Sequence, residues 1–186
     1  MAELELKLFY FINKSCANPV FDILTPLLTL LGEYNFSIAL ALFLILVLRK
    51  ERKMVGIVYL TGLLASGFVL FLLKHAFPKN TPFTTLEGVR QVVEELEIMQ
   101  SFPSGHATCA FLTAAVFSCY FRYGYLLFFF AIAAAFTRVY SGIHYPSDAI
   151  IGAAIGTVTG YVMVYAARKT EKFHHWLLGS RFFTQS

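Results

Sequence analysis

Charge is scarce in this sequence. Asp, Glu, Lys and Arg make up 14% of the 186 residues, while 58% are hydrophobic and the mean hydropathy is +0.65. That balance excludes an ordinary soluble domain. Cysteine is nearly absent: Cys16, Cys109 and Cys119 have no metal-ligand spacing, and an odd number cannot pair fully within one chain. They read as small apolar residues. No internal repeat and no linker divides the chain, so residues 1–186 read as one domain. No cleavable leader is expected, because Glu3 and Glu5 precede any basic residue and Asn13 and Lys14 break the run that follows. No carboxylate cluster offers a Mg²⁺ site, so neither metal nor cofactor is expected.

What is abundant is apolar length. A helix needs about 20 apolar residues to cross a hydrocarbon core, and six windows approach that: 19–31, 34–48, 54–77, 103–121, 125–140 and 146–167. The first is the shortest and contains Asp22 and Pro26. Ahead of it, Leu4, Leu8, Phe11 and Ile12 recur at helical spacing. The expected architecture is all-α: an integral membrane six-helix bundle with an N-terminal interfacial amphipathic helix. Lys and Arg then set an orientation. Arg49, Lys50, Arg52 and Lys53 crowd one short loop, Arg122 lies in another, and Arg168, Lys169, Lys172 and Arg181 follow the last window. By the positive-inside rule these are cytoplasmic. The loop 78–102 carries only Lys79 and Arg90, with Glu87, Glu94, Glu95 and Glu97. Six crossings put both termini in the cytoplasm and that loop outside, together with the turn 138–146.

Those two outer segments hold nearly all the unusual polar residues. Lys74 ends the third window, PSGH (Pro103 to His106) opens the fourth, and RVYSGIHYPSD (Arg138 to Asp148) joins the last two. Ionisable groups at membrane depth are costly and usually have a partner or a function. Two fixed cations, Lys74 and Arg138, converge only if an anion sits between them, and phosphate pairs with both ammonium and guanidinium. Pro103 can open a helix, leaving the amides of Ser104, Gly105 and His106 without intrahelical acceptors and able to point at that anion. His144 and Asp148 are four apart across Pro146. An aspartate accepting from one imidazole nitrogen leaves the other free to attack phosphorus, while His106 can protonate the leaving oxygen. Taken singly, these residues have plainer readings: interfacial histidines, snorkelling helix-end cations, and a first-turn aspartate favoured by the helix dipole. Their joint spacing is what argues for a site.

The three segments resemble the signature of the type 2 phosphatidic acid phosphatase superfamily, which also includes vanadium haloperoxidases and acid phosphatases. Its pattern is Lys-x6-Arg-Pro, Pro-Ser-Gly-His and Ser-Arg-x5-His-x3-Asp. This chain carries Lys74 and Pro82, all of Pro103-Ser104-Gly105-His106, and Arg138-x5-His144-x3-Asp148. Thr81 stands where the family has Arg, and Thr137 where Ser is common; Lys79 or Arg90 are the loop cations available to compensate. The resemblance implies His144 as nucleophile, Asp148 as its orienting partner and His106 as general acid. It implies Lys74, Ser104, Gly105 and Arg138 as phosphate-binding residues, with Thr81 at the remaining family position.

The activity so implied is a metal-independent membrane lipid phosphatase working through phosphohistidine, with phosphate transfer to another lipid as a side activity. Substrate candidates are lipid A 1-phosphate, undecaprenyl diphosphate and phosphatidylglycerophosphate. The expected location is an inner or plasma membrane with the active site on the outer face, the partner a lipid phosphate and no nucleic acid. The competing class is a non-catalytic lipid-phosphate binding protein or transporter using the same basic pocket.

Overall fold

Long apolar runs must satisfy their backbone hydrogen bonds internally, and in the computed structural model every regular element among the described residues is helical. The structure describes residues 2–47, 50–93 and 100–178, with backbone alone for 2, 50–52 and 171–178. Arg49, Glu94, Glu95, Glu97 and Arg181, counted in the charge pattern above, lie outside the described residues. In chain order the helices are α1 (Ala2–Tyr10), α2 (Pro19–Leu30), α3 (Tyr34–Val47), α4 (Lys50–Ala76), α5 (Pro82–Thr85), α6 (Gly105–Tyr120), α7 (Leu127–Tyr140) and α8 (Pro146–Leu178). A π-helical turn, Phe11–Ser15, extends α1.

The centre of the bundle is α6, which packs against α8, α7, α4 and α3. Its inward residues, Ala107, Cys109, Leu112, Ala114, Ala115 and Val116, are fully buried. They are mostly small, so helix axes come close. On α8, Gly152, Gly156 and Gly160 face this helix, and a methyl group at position 156 would stand 2.1 Å from the Thr108 carbonyl oxygen. Small residues at four-residue spacing are a common way for membrane helices to pack without a hydrophobic driving force. The contact fixes the start of α6 against the start of α8: the Ser104 amide donates to the Asp148 carbonyl at 3.1 Å.

Among the described residues, Lys53–Ala76 and Pro146–Thr170, of 24 and 25 residues, are each long and apolar enough to cross a membrane. The first two expected spans meet that test only as one bent pair, α2 with α3, whose axes differ by 47°. Twelve residues reach about 18 Å, well short of a hydrocarbon core of roughly 30 Å, and α2 carries Asp22 and an internal Pro26.

The N-terminal segment packs closely against the bundle. Glu5 on α1 accepts from the Ser147 amide at 3.2 Å and from the Ser147 hydroxyl. Phe9 is fully buried beside Val139 and Ala149. The Asn13 side chain bonds the carbonyls of Arg90 and Tyr140, each at 2.8 Å, and accepts from the Arg90 amide. The N-terminal helix is therefore docked at the same end of the bundle as the start of α8. At the opposite end Arg168 donates to the Cys119 carbonyl at 2.9 Å.

Candidate active site

Three helix ends and one turn meet beside α1. Ser104 caps α6: its extended backbone halts the helix and its hydroxyl accepts from the Ala107 amide. The helix thus starts at Gly105 rather than at Pro103. The Ser104 amide is already bonded to Asp148, which leaves Gly105 and His106 as the first-turn amides that lack intrahelical acceptors. The turn after α7 is closed on Arg138, whose carbonyl accepts from the amides of Ile143 and His144, both at 3.2 Å. Arg138 itself is fully buried in the last turn of α7. Pro146 opens α8 and puts Asp148 in its first turn.

His144 is 3% exposed. Its Nδ1 lies 3.9 Å from Asp148 Oδ2 and 3.5 Å from the Ser101 hydroxyl, which itself donates to that same carboxylate oxygen. The Tyr145 amide donates to Asp148 Oδ2 as well, at 2.9 Å. Asp148 therefore faces the Nδ1 side of the imidazole directly and through Ser101, with Nε2 on the side away from it. Burial foremost, then the charges of Arg138, Lys74 and His106, hold the His144 imidazole well below the ordinary histidine pKa. That environment favours the neutral ring. Lys74, Arg138 and His106, from three separate segments, thus all lie near enough to His144 to act on it through their charge. Lys74 donates to the Gln100 carbonyl at 2.7 Å.

The motif residue that does not point into this cluster is Thr81. It is fully buried, and its hydroxyl pairs with that of Thr84 at 3.0 Å within the short α5. The two loop cations divide. Lys79 enters the site, 2.8 Å from Asp148 Oδ1 and 4.1 Å from the centre of the Tyr145 ring. Arg90 stays outside it, bonded to both Asp22 oxygens at 3.0 and 2.9 Å.

Residues 55–172, well over half of the chain, match the model of the PAP2 superfamily. The chain belongs to that superfamily. It is similar to the bacitracin transport permease protein BcrC of Bacillus licheniformis, 28% identical over 179 residues that cover 95% of this chain and 87% of BcrC. It is 34% identical over 113 residues to YbjG of Escherichia coli K12, named as a candidate undecaprenyl-diphosphatase, covering 60% of this chain and 56% of that one. The crystal structure of Aquifex aeolicus LpxE superposes with a TM-score of 0.75 at 29% identity, over 87% of this chain and 95% of that one.

Two residues of this PAP2 site escape a motif-based reading: Ser101 and Lys79. Neither lies at a signature position, and only the fold shows that both bond Asp148. Ser101 is fully buried. A hydrogen bond to a charged group is worth about 1.5–3 kcal/mol, and about 1.36 kcal/mol is a factor of ten in rate. Ser101→Ala is therefore expected to lower kcat on a lipid phosphate about tenfold or more, with Ser101→Thr recovering part of it. Steady-state assays on variants of matched Tm check this.

Proposed function

We propose that this chain, a membrane lipid phosphatase of the PAP2 superfamily, works through a phosphohistidine formed on His144. The observation that carries the reading is the neutral, buried His144 held against Asp148 amid Lys74, Arg138 and His106. Lys74, Arg138 and the first-turn amides of α6 would hold the phosphate oxygens and stabilise charge as it develops. His144 Nε2 attacks phosphorus as the bond to the lipid oxygen breaks, and His106 gives that oxygen its proton. In the second half, His106 takes a proton from the attacking water and phosphate leaves His144. Thr81, buried at the start of α5, would act by shaping the wall rather than by binding phosphate.

The lipid substrate would be undecaprenyl diphosphate, lipid A 1-phosphate or phosphatidylglycerophosphate; the name of the YbjG relative supports the first. Phosphate release from each of these by purified protein in detergent, without added metal, tests the reading. Release from at least one is the expected outcome. A transport reading draws on the name of the BcrC relative, and it predicts no phosphate release once the bilayer has been dissolved.

The orientation follows from joining charge to the observed ends. Arg122, Arg168 and Lys169 lie away from the site, so the site, α1 and loop 78–93 would face outward and the tail inward. In intact cells, single cysteines at Glu3 and Gln91 should react with an impermeant reagent while one at Arg52 is protected. Protection at Glu3 would restore the six-crossing arrangement, and reaction at Arg52 with protection at Gln91 would invert the protein.

A further inference from the structure

Glu33 is an acid in the middle of an apolar stretch, at the break between α2 and α3. A carboxylate at that depth is costly without a partner. Its Oε2 lies 3.2 Å from His106 Nε2, and its Oε1 accepts from the Asn35 side chain at 3.3 Å. The approach is built into the backbone. A methyl group on Gly32 would stand 2.6 Å from the His106 carbonyl oxygen and 2.9 Å from its Cβ, so only glycine lets the chain pass so close. The amides of Leu31, Gly32 and Glu33 bond back to Leu28, Thr29 and Leu30, winding the end of α2 into a tight turn. The 47° bend then presents the next side chain to the first turn of α6.

The surroundings of His106 explain why an acid is needed there. Burial foremost, and then the charge of the buried Arg138 from α7, disfavour a positive charge on the ring, and from the turn before α8 His144 is its neighbour. A guanidinium beside an imidazole disfavours a second positive charge. Yet a general acid must hold its proton when the substrate arrives. Among the described residues, the carboxylate within ion-pairing distance of His106 is Glu33.

We propose that Glu33 is a positioning residue for the general acid: it orients His106 and favours its protonated form against burial and the Arg138 charge. This rests on the phosphatase reading above. In the first half-reaction the imidazolium proton passes to the leaving lipid oxygen as the P–O bond breaks. In the second, His106 takes a proton from the attacking water as the new P–O bond forms. Glu33 remains a carboxylate throughout.

The test compares wild type, Glu33→Gln and Glu33→Asp in detergent, reading kcat/KM against pH on a lipid phosphate and on p-nitrophenyl phosphate. Glu33→Gln should lose about tenfold or more on the lipid substrate, whose leaving oxygen needs a proton. Its alkaline limb should move to lower pH, the aryl phosphate should suffer less, and Glu33→Asp should recover part of the loss. Equal loss on both substrates with an unmoved alkaline limb, or no loss, would overturn the proposal. The ¹⁵N shifts of His106, followed by NMR in labelled protein, read protonation without turnover. A lower titration midpoint in Glu33→Gln supports the pairing even if no phosphatase activity is found. An unchanged midpoint sinks it even where wild-type turnover is intact.

Discussion

His144→Ala should abolish turnover of every substrate, whatever its leaving group. Losing a covalent nucleophile removes the pathway rather than slowing one step of it, so a fall of at least about 10³-fold is expected, or roughly 4 kcal/mol of barrier. Lys74 and Arg138, proposed above to hold phosphate, come from α4 and α7 and do not depend on the imidazole for their placement. The variant should therefore still bind phosphate while failing to release it from a lipid. Because His144 is buried at 3% exposure, His144→Gln, which fills more of the space, serves as the folding control. Acid-quenched wild type should carry phosphate on the peptide containing His144, detected by mass spectrometry. Full activity in either variant would remove phosphohistidine chemistry from this site, and a phosphorylated His106 peptide would reverse the two roles.

How far the site could be read from the sequence depends on how local each relationship is. His144 and Asp148 are four residues apart across a helix-opening proline, so their pairing is written in the chain. The cap at Ser104 and the cation at Arg138 are equally local. Lys74 comes from a third segment, yet the helical layout alone brings it to the same end. Ser101, Lys79 and Glu33 are different, because each matters through a partner 47, 69 or 73 positions away, Asp148 for the first two and His106 for the third. No periodicity reports such a meeting. Thr81 shows the converse hazard: it occupies a signature position, but its hydroxyl is taken up by Thr84 inside a helix of four residues. The positive-inside rule compares basic loops with one another, but it cannot count crossings. Asp22 and Pro26 mark residues 19–31 as a poor span, and α2 meets the length and hydropathy test only together with α3, as a bent pair.

His106→Ala should divide substrates by leaving group, a pattern distinct from the uniform loss at His144. A lipid alkoxide is a poor leaving group and needs a proton as it departs, so its turnover should fall by something like 10²–10⁴-fold, the usual contribution of a positioned general acid. An aryl phosphate with an acidic phenol leaves with little help and should suffer far less in the first step. For that substrate the second step then becomes limiting, because the same His106 is the base that would activate water. Phosphate should therefore accumulate on His144 in His106→Ala treated with an aryl phosphate, and not in wild type. The placement supports this division: His106 sits in the first turn of α6 and His144 in the turn before α8, near enough for His106 to act on His144 through its charge. One ring can thus serve the departing oxygen while the other holds phosphorus. Comparing both variants on both substrate types, with acid quench and mass spectrometry, reads the pattern directly. Equal damage by both variants on every substrate would take the general-acid role away from His106, and with it the reason for Glu33 to stand beside that ring.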